Sequence, residues 1–584
     1  MPTSVVTSDS LLAIEIGTIN TRAALFDIVE GRYRFLASAQ AVTTAGAPFN
    51  DVGEGVRRAI DRVEAVTGRQ LLRDDDSLIV PMAPDGTGVD HLAVTMSAGP
   101  PMSVVVIGLL DDVSVESARH LAATTYTRVL ETINLNDRRK QDQRIDSIVR
   151  VRPDLVIVAG GTEGGATHSL RRLMEALGLA AYVLPEGMKP RVLYAGNSKM
   201  QREARDMLKP ITDFHLAANI RPLMELEQLD AAQRTLVQIY RQVRAAKIMG
   251  VAELDGWAGG RLLPTAAAFD RIIRFMSKMY DSQKGVLGVD IGASAAHLGA
   301  AFDGHLVSGV FSDLGLAVGV ERLSQSISLE AVRNSLSLDL PKSFIQDYIQ
   351  NKAAYPASLP ASAEELDLEL ALARQILKTG IQRLSPRLPQ DAKGSAAGLL
   401  PWFEPIVASG SVLTQTPTYG HALLTLLDGL QPTGITPIGL DANRLAASLG
   451  AAAEVNPMLA VQVLDSDTFV NLGTVISLTG SARLGTPVLR VRVVQDDGEE
   501  RKLEVKYGSL EVIPVPAGKT ANLRLQPLHR FDIGMGSPGR GGRLQVIGGK
   551  LGIVIDARGR PLNFHPDPDR RRELAKKWLW TLGS

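Results

Sequence analysis

Two stretches of the chain share a pattern that could do phosphate chemistry. Glu15-Ile16-Gly17-Thr18-Ile19-Asn20-Thr21-Arg22 and Asp290-Ile291-Gly292-Ala293-Ser294-Ala295 each set a carboxylate, one apolar residue and a glycine ahead of small residues. A small polar turn of this kind turns several backbone N–H groups toward a phosphate. A carboxylate at the preceding strand end (Glu15, Asp290) holds Mg2+ through water, and Arg22 adds charge for a phosphate oxygen. Each stretch alone also fits an ordinary β-hairpin, the first with a cross-strand Glu–Arg pair. Two such turns, one opening each half, favour a nucleotide gripped by two jaws, since phosphoryl chemistry rests on positioning and charge neutralisation. A third stretch, Gly160-Gly161-Thr162-Glu163-Gly164-Gly165, follows an apolar strand and precedes a helical pattern. It suits close backbone approach and an anion at the helix N-terminus, and equally a tight strand-to-helix turn. Ser409-Gly410-Ser411 is its expected counterpart in the second half, with a base or ribose lying against the glycine backbone.

Composition removes other chemistries. There is no cysteine, which excludes disulfides, thiolate zinc sites, iron–sulfur clusters and a cysteine nucleophile. The nine histidines form no HExxH and no close pair, so no histidine metal site is expected. Lys+Arg and Asp+Glu are 63 each, so binding of nucleic acid through global positive charge is not expected. Apolar residues make up 45% and charged residues 22%, a globular composition. No apolar run reaches the ~18 residues of a transmembrane helix. Leu11 to Ile16 is too short for a signal peptide, and the residues before it lack a basic start, so the expected location is cytoplasmic. Gly518-Lys519-Thr520 imitates the end of a P-loop but lacks the upstream glycine. Gly534 to Gly539 fits GxGxxG but is followed by a strand pattern where a dinucleotide fold needs a helix.

The 584 residues predict about four units at roughly 150 each. Strands are expected at Leu11–Ile16, Thr21–Phe26, Gly31–Leu36, Leu92–Met96, Val104–Leu109 and Asp154–Val158, with helices at Asn50–Val66, Val115–Leu135 and His168–Leu177. The order recurs: strands at Gly285–Val289, Ala296–Phe302 and His305–Val310, helices at Val318–Ile327 and Ala363–Leu384, then a strand at Pro405–Ala408. Helices Ala231–Ala252 and Thr265–Met279 lie between the halves. After Met458 the pattern changes to period two, with a turn at Asp496-Asp497-Gly498, which reads as an antiparallel β module. Asp567-Pro568 opens a last helix, with Leu574, Trp578 and Leu582 on one face. The expected division is a flexible start (1–10), lobe I (11–230), a helical connection (231–284), lobe II (285–458), a β-rich domain (459–562) and a C-terminal helix (563–584).

Together these residues resemble the actin/sugar-kinase/heat-shock chaperone ATPase superfamily. More narrowly, they resemble the glutamate mutase accessory (MutL/GlmL) family. The resemblance rests on Leu12–Phe26, on Pro153–Gly165, on Tyr194-Ala195-Gly196-Asn197 and on Ala218-Asn219-Ile220-Arg221-Pro222, and covers roughly residues 10–455. The C-terminal antiparallel β module from about 459 onward is a departure from that family; over the rest of the chain the resemblance implies an α/β, two-lobed actin-like (ribonuclease-H-like) ATPase fold. It also implies ATP and Mg2+ as cofactors and a chaperone or reactivating role toward a cobalamin-dependent mutase. On it, Thr18, Asn20, Thr21 and Arg22 form the first phosphate loop, Gly292, Ala293 and Ser294 the second, and Ser409, Gly410 and Ser411 lie near adenosine. Where the family reads about Asp-x-Gly-Gly-Ala-Thr-Thr-Asp, this chain reads Asp290-Ile291-Gly292-Ala293-Ser294-Ala295-Ala296-His297. Glu15 and Arg22 replace the usual aspartate and lysine of the first loop. The lost hydroxyls and final acid keep a second expectation open: a degenerate, weakly or non-hydrolysing scaffold that self-assembles as a homo-oligomer or filament through its β module.

Overall fold

The computed structural model describes residues 9–396, 398–495, 498 and 500–583. The expected flexible start therefore lies outside the described residues except for Asp9 and Ser10, as does the Asp496-Asp497-Gly498 turn except for Gly498. The chain forms two compact units. One comprises Asp9–Leu25 and Ala37–Ala267; the other comprises Phe26–Leu36 and Ala268 onward.

The first unit carries most of β1 (Leu11–Ile16), β2 (Asn20–Val29), β3 (Arg32–Val42) and β4 (His91–Met96), then β5 (Met102–Ile107), β6 (Thr127–Ile133), β7 (Leu155–Val158), β8 (Arg191–Tyr194), β9 (Phe214–Leu216) and the short β10 (Leu263–Pro264). These make two five-stranded sheets, β10-β4-β1-β2-β3 and β6-β5-β7-β8-β9. In the first, β4 lies parallel to both β1 and β10. Its central strand β1 is apolar almost throughout, as a strand covered on both faces must be. The second sheet is parallel at every pairing. Its core joins Val105, Ile107, Val156, Val158 and Tyr194 to helix residues Leu170, Leu173 and Leu177.

One expectation fails here. The helix read from Val115 to Leu135 is a π turn at Asp111–Val115, a helix at Glu116–Ala122, and then strand β6. Thr124, Thr125, Tyr126, Thr127 and Val129 are β-branched or aromatic, and parallel pairing with β5 overrides the apolar spacing that imitated a helix. Helix Asp230–Lys247, expected in a connecting region, belongs to the first unit: Tyr240 Oη donates to the Met96 carbonyl at 2.9 Å.

The second unit adds β11 (Gly285–Ile291), β12 (Ala296–Phe302), β13 (His305–Phe311), β14 (Phe403–Ser409), β15 (Gly434–Leu440), β16 (Val470–Ser477), β17 (Pro487–Gln495), β18 (Glu500–Lys506), β19 (Leu510–Ile513), β20 (Thr520–Pro527), β21 (Gly542–Ile547) and β22 (Ile553–Asp556). Eight of these form one sheet, β13-β12-β11-β14-β15-β16-β22-β19, and four form a second, β18-β17-β20-β21. The β module expected to start at 459 is therefore not a self-contained antiparallel unit. Its strands β16, β19 and β22 extend the sheet begun at β11, and β16 pairs with β22 in parallel. The four-stranded sheet shares a core with them, in which Val491, Leu523 and Leu525 meet Ile476, Ile513 and Ile555. The expected helix Val318–Ile327 shrinks to Val320–Leu323. Ser326, which would continue it, instead donates its hydroxyl to Asp313 Oδ2 at 2.5 Å.

The two units share one strand order. Third, second, first, fourth, fifth describes both β3-β2-β1-β4-β10 and β13-β12-β11-β14-β15. In both, the fourth strand is parallel to the first and the fifth.

The last helix, Pro568–Thr581, is capped by Asp567, whose side chain accepts from Arg570 N. Trp578 and Leu582 are buried in the second unit's core, and Trp578 Nε1 donates to the Gly508 carbonyl at 3.1 Å. Arg558 stacks on the Trp578 ring at 4.7 Å and bonds Asp428 and Asp556. Burial alone would lift the Asp556 carboxyl; Arg558 and Arg560 outweigh it and hold Asp556 far below the usual range. A depressed folded pKa stabilises above the unfolded value and stops doing so as pH falls through the folded one. The stability deficit of Asp556→Asn, read from urea midpoints, is therefore expected to be full at neutral pH and to shrink below about pH 4. A deficit that stays constant down to about pH 2 contradicts this. No helix among the described residues is long and apolar enough to cross a membrane.

Candidate functional site

The turn after β1 is closed by a backbone bond from Gly17 N to Asn20 O at 2.9 Å. The turn after β11 is closed the same way, from Gly292 N to Ala295 O at 2.9 Å. A Cβ at Gly17 would come 2.8 Å from the Asn20 carbonyl, and one at Gly292 3.0 Å from that of Ala295. Glycine thus lets both turns close tightly: a Cβ at Gly17 would force a shift, and one at Gly292 would press on the Ala295 carbonyl. In each unit a later segment runs along the loop. Thr43 N donates to Ile19 O at 2.9 Å, while Leu316 N and Ala317 N donate to Gly292 O and Ala293 O at 3.1 and 2.8 Å.

In the first unit Thr18 is exposed at the tip, with Gly17 and Asn20 half-buried. Thr21 is buried, and its hydroxyl donates to Thr43 Oγ1 at 3.2 Å. Arg22 is also buried, and its Nη2 donates to Ser38 Oγ at 3.2 Å. Backbone groups and Thr18 thus present themselves outward, while Thr21 and Arg22 brace the strands. Glu15 stands at the end of β1 beside Thr95 of β4. Thr95 is 1% exposed and Thr265, the residue after β10, is 4% exposed. Neither hydroxyl has a hydrogen-bond partner among the described residues. Two unsatisfied buried hydroxyls, one on the strand beside Glu15 and one just past the strand after that, are groups that a ligand or its water would satisfy. The sequence offered no sign of them: Thr95 is one more residue of an apolar strand, and a two-residue strand has no period.

In the second unit Asp290 lies in one row between His297 of β12 and Ser409 of β14. Burial raises its carboxyl above the usual range; His297 opposes this and Asp441 adds to it. Ala293 and Ser294 are half-buried in the turn. Gly410 has φ +96°, and a Cβ there would lie 2.4 Å from the Ile291 carbonyl and 3.0 Å from Asp290 Oδ1. Only glycine allows that loop to rest on the carboxylate. Ser409 donates to Asp441 Oδ2 at 3.2 Å, and Asp441 also accepts from Leu445 N at 2.7 Å and Ala446 N at 2.9 Å. Ser411 is exposed.

His297, where the family pattern has an acid, is buried with Asp270 of helix Thr265–Met279. Its Nε2 lies 2.9 Å from Asp270 Oδ1 and 3.2 Å from Ser308 Oγ, which donates to Asp270 Oδ2 at 2.6 Å. Burial alone would lower the imidazole pKa, but Asp270 and Asp290 outweigh it and raise it. The missing acid is thus replaced by an imidazole whose charged form Asp270 and Asp290 favour. Asp270 comes this close because Gly299 lacks a Cβ, which would stand 2.2 Å from Asp270 Oδ1.

The glycine turn Gly160–Gly165 does not occupy the position that Ser409–Ser411 has. It follows β7 of the wholly parallel sheet, whereas Ser409 follows a strand parallel to the first of its unit. The positional counterpart of Ser409–Ser411 is Ser97-Ala98-Gly99 after β4, where Ser97 N and Ala98 N donate to Ile16 O at 2.9 and 3.1 Å. Gly160, Gly161 and Gly164 have positive φ. Their turn is tied down by its neighbours: Asn219 Nδ2 donates to Gly161 O at 3.0 Å and Glu163 Oε1 at 2.8 Å, and Asn197 Nδ2 to Gly165 O at 3.2 Å. The two set-aside motifs are turns: Gly518-Lys519-Thr520 leads into β20, and Gly534–Gly539 precedes β21 without a helix. Among the described residues, no three His, Cys, Asp or Glu side chains converge to hold a metal ion.

The model of the family described as MutL protein matches residues 11–468. The chain is 24% identical over 306 residues to Protein MutL of Clostridium tetanomorphum, an alignment covering 51% of this chain and 58% of that protein. Two solved structures are similar at low level. The nucleotide-free structure of an acetone carboxylase shares 12% identity over 86% of this chain and 81% of its own, with a TM-score of 0.27. A glycerol dehydratase reactivase shares 10% identity over 76% of this chain and 100% of its own, with a TM-score of 0.29.

Proposed function

The chain belongs to the MutL protein family, and on that premise we propose that it is an ATP·Mg-binding accessory protein that acts on a partner enzyme, a cobalamin-dependent mutase. The observation that supports this best is the repeated glycine turn. The same i to i+3 backbone bond closes the loop after the first strand of two sheets with one strand order. We read the two sheets as the halves of an actin-like (ribonuclease-H-like) fold. Gly17, Thr18 and Asn20, and Gly292, Ala293 and Ser294, are its phosphate-binding loops; Thr21 and Arg22 support the first of them. Ser409, Gly410 and Ser411 lie on the adenosine side. Glu15 and Asp290 suit Mg2+, which takes one or two carboxylates and otherwise prefers water and phosphate oxygens. That fits a protein with single carboxylates at strand ends rather than an acidic cage. Bound Mg2+ neutralises phosphate charge. The chain's own part is to hold the phosphates against backbone N–H groups and to favour the conformation that binds nucleotide best.

A second reading is supported by His297. Its Nε2 is committed to Asp270 and Ser308, so a histidine held in the fold stands where the family pattern carries a carboxylate. On this reading the protein is a scaffold that binds nucleotide, turns it over slowly or not at all, and self-assembles. Measuring phosphate release at saturating ATP, with sedimentation at rising protein concentration, separates the two. Turnover by a non-assembling protein supports the switch; assembly without turnover supports the scaffold.

A further inference from the structure

The exposed face of sheet β18-β17-β20-β21 carries like charges in a line. Lys502 stands opposite Arg492, Arg492 opposite Arg524, and Arg524 opposite Arg543. Directly opposite residues of antiparallel strands project to one face, and all four are exposed. Val491, Val493, Leu523 and Leu525, which alternate with them, fill the core behind. The row crosses every strand of the sheet, and at a strand spacing of about 4.8 Å it is about 14 Å long.

Like charges directly opposite each other destabilise a sheet, and the local compensation is partial. Glu500 lies 2.6 Å from Arg492 and 3.6 Å from Lys502, while Glu504 lies 3.2 Å from Arg490 in the next row. Among the described residues, Arg524 and Arg543 have no ion-pair or hydrogen-bond partner. In a chain of zero net charge, the described residues of this face gather six cations (Arg490, Arg492, Lys502, Lys506, Arg524, Arg543) around two carboxylates (Glu500, Glu504).

We propose that this row docks an acidic helix of a partner protein, laid across the strands. One helical turn rises about 5.4 Å, close to the strand spacing, so Asp or Glu side chains on successive turns of one helix face meet successive cations. An arginine fork takes a carboxylate through two N–H groups. A nucleic acid fits less well. These rows contain no aromatic ring for a base to stack on, and Glu500 and Glu504 would face its phosphates. The inference is independent of nucleotide binding.

The test uses the full chain and a fluorescent, alanine-based helical peptide of about 20 residues with glutamate at every fourth position. Anisotropy at near-physiological salt should show saturable binding. Binding should be at least about tenfold weaker for Arg524→Gln/Arg543→Gln, and weaker for a peptide with the same glutamates gathered in one block. Thermal melting of the double variant should be unchanged or higher, since repulsion is relieved. The proposal is overturned if the peptide does not bind, if the double variant binds it equally, or if that variant melts lower. It is also overturned if duplex DNA of similar length binds more tightly than the peptide.

Discussion

Asp290→Asn is expected to weaken ATP·Mg binding at least about 100-fold, near 2.7 kcal/mol, while leaving the protein as stable as before or more so. Asp290 is a half-buried carboxylate whose loss of hydration raises its pKa, so the fold favours its ionised form less than the unfolded chain does. A raised folded pKa on an acid means that the ionised group is held at a cost. Asparagine keeps the shape and removes that cost. What it loses is the anionic oxygen proposed to hold a water of Mg2+. Destabilised groups of this kind persist where function needs them. Calorimetric titration with ATP·Mg, alongside thermal melting, reads both halves. Unchanged affinity, or a drop of several degrees in Tm with affinity lost alongside, would show Asp290 to be a structural residue.

The second large effect is on stability. Gly450→Ala is expected to cost more than about 3 kcal/mol, enough to deplete the soluble folded protein. Gly450 lies in helix Ala446–Ala452, whose seven residues are all buried. A Cβ there would lie 1.8 Å from the Ala268 carbonyl oxygen and 2.6 Å from its carbon. The obstacle is backbone, so no side chain can move aside. Arg271 Nη1, donating to Gly450 O at 2.9 Å, fixes the same approach. The control is Gly256→Ala in the exposed part of helix Val251–Trp257, where a Cβ meets nothing within 4 Å. That change should stabilise by roughly 0.5–1 kcal/mol through the unfolded chain. Urea unfolding of both variants checks the opposite signs; equal effects would contradict the packing argument.

Much of the framework was legible because local signals agreed with the tertiary fold. Leu11–Ile16 and Ala296–Phe302 are strands over those very residues, since a covered strand needs an unbroken run of apolar or small residues. Helix Ala363–Leu384 begins where Ser362 Oγ accepts from Glu365 N, and the last helix begins at the Asp567-Pro568 cap. Legibility failed where long-range pairing decided. Thr127–Ile133 is a strand only because β5 lies beside it. β16, β19 and β22 join the larger sheet through partners that no period reveals. By pattern the glycine turn Gly160–Gly165 matches Ser409–Ser411, because both follow apolar strands. A whole parallel sheet stands in the chain between β4 and β10, which hid Ser97–Gly99 as the true positional match. At the candidate site, carboxylates and glycines stood out by type and spacing. Thr95, Thr265 and Asp270 did not, because burial and orientation give them their importance.

The proposed function rests on the chain binding ATP with Mg2+ with the help of its glycine turn at Gly292. Its most direct test is calorimetric titration of the full chain with ATP, with Mg2+ and then with chelator present. The account predicts saturable binding near one nucleotide per chain, strengthened by Mg2+ and lost in Gly292→Val at a protein concentration where that variant remains folded. A folded wild-type chain that gives no binding heat at millimolar ATP·Mg would contradict it.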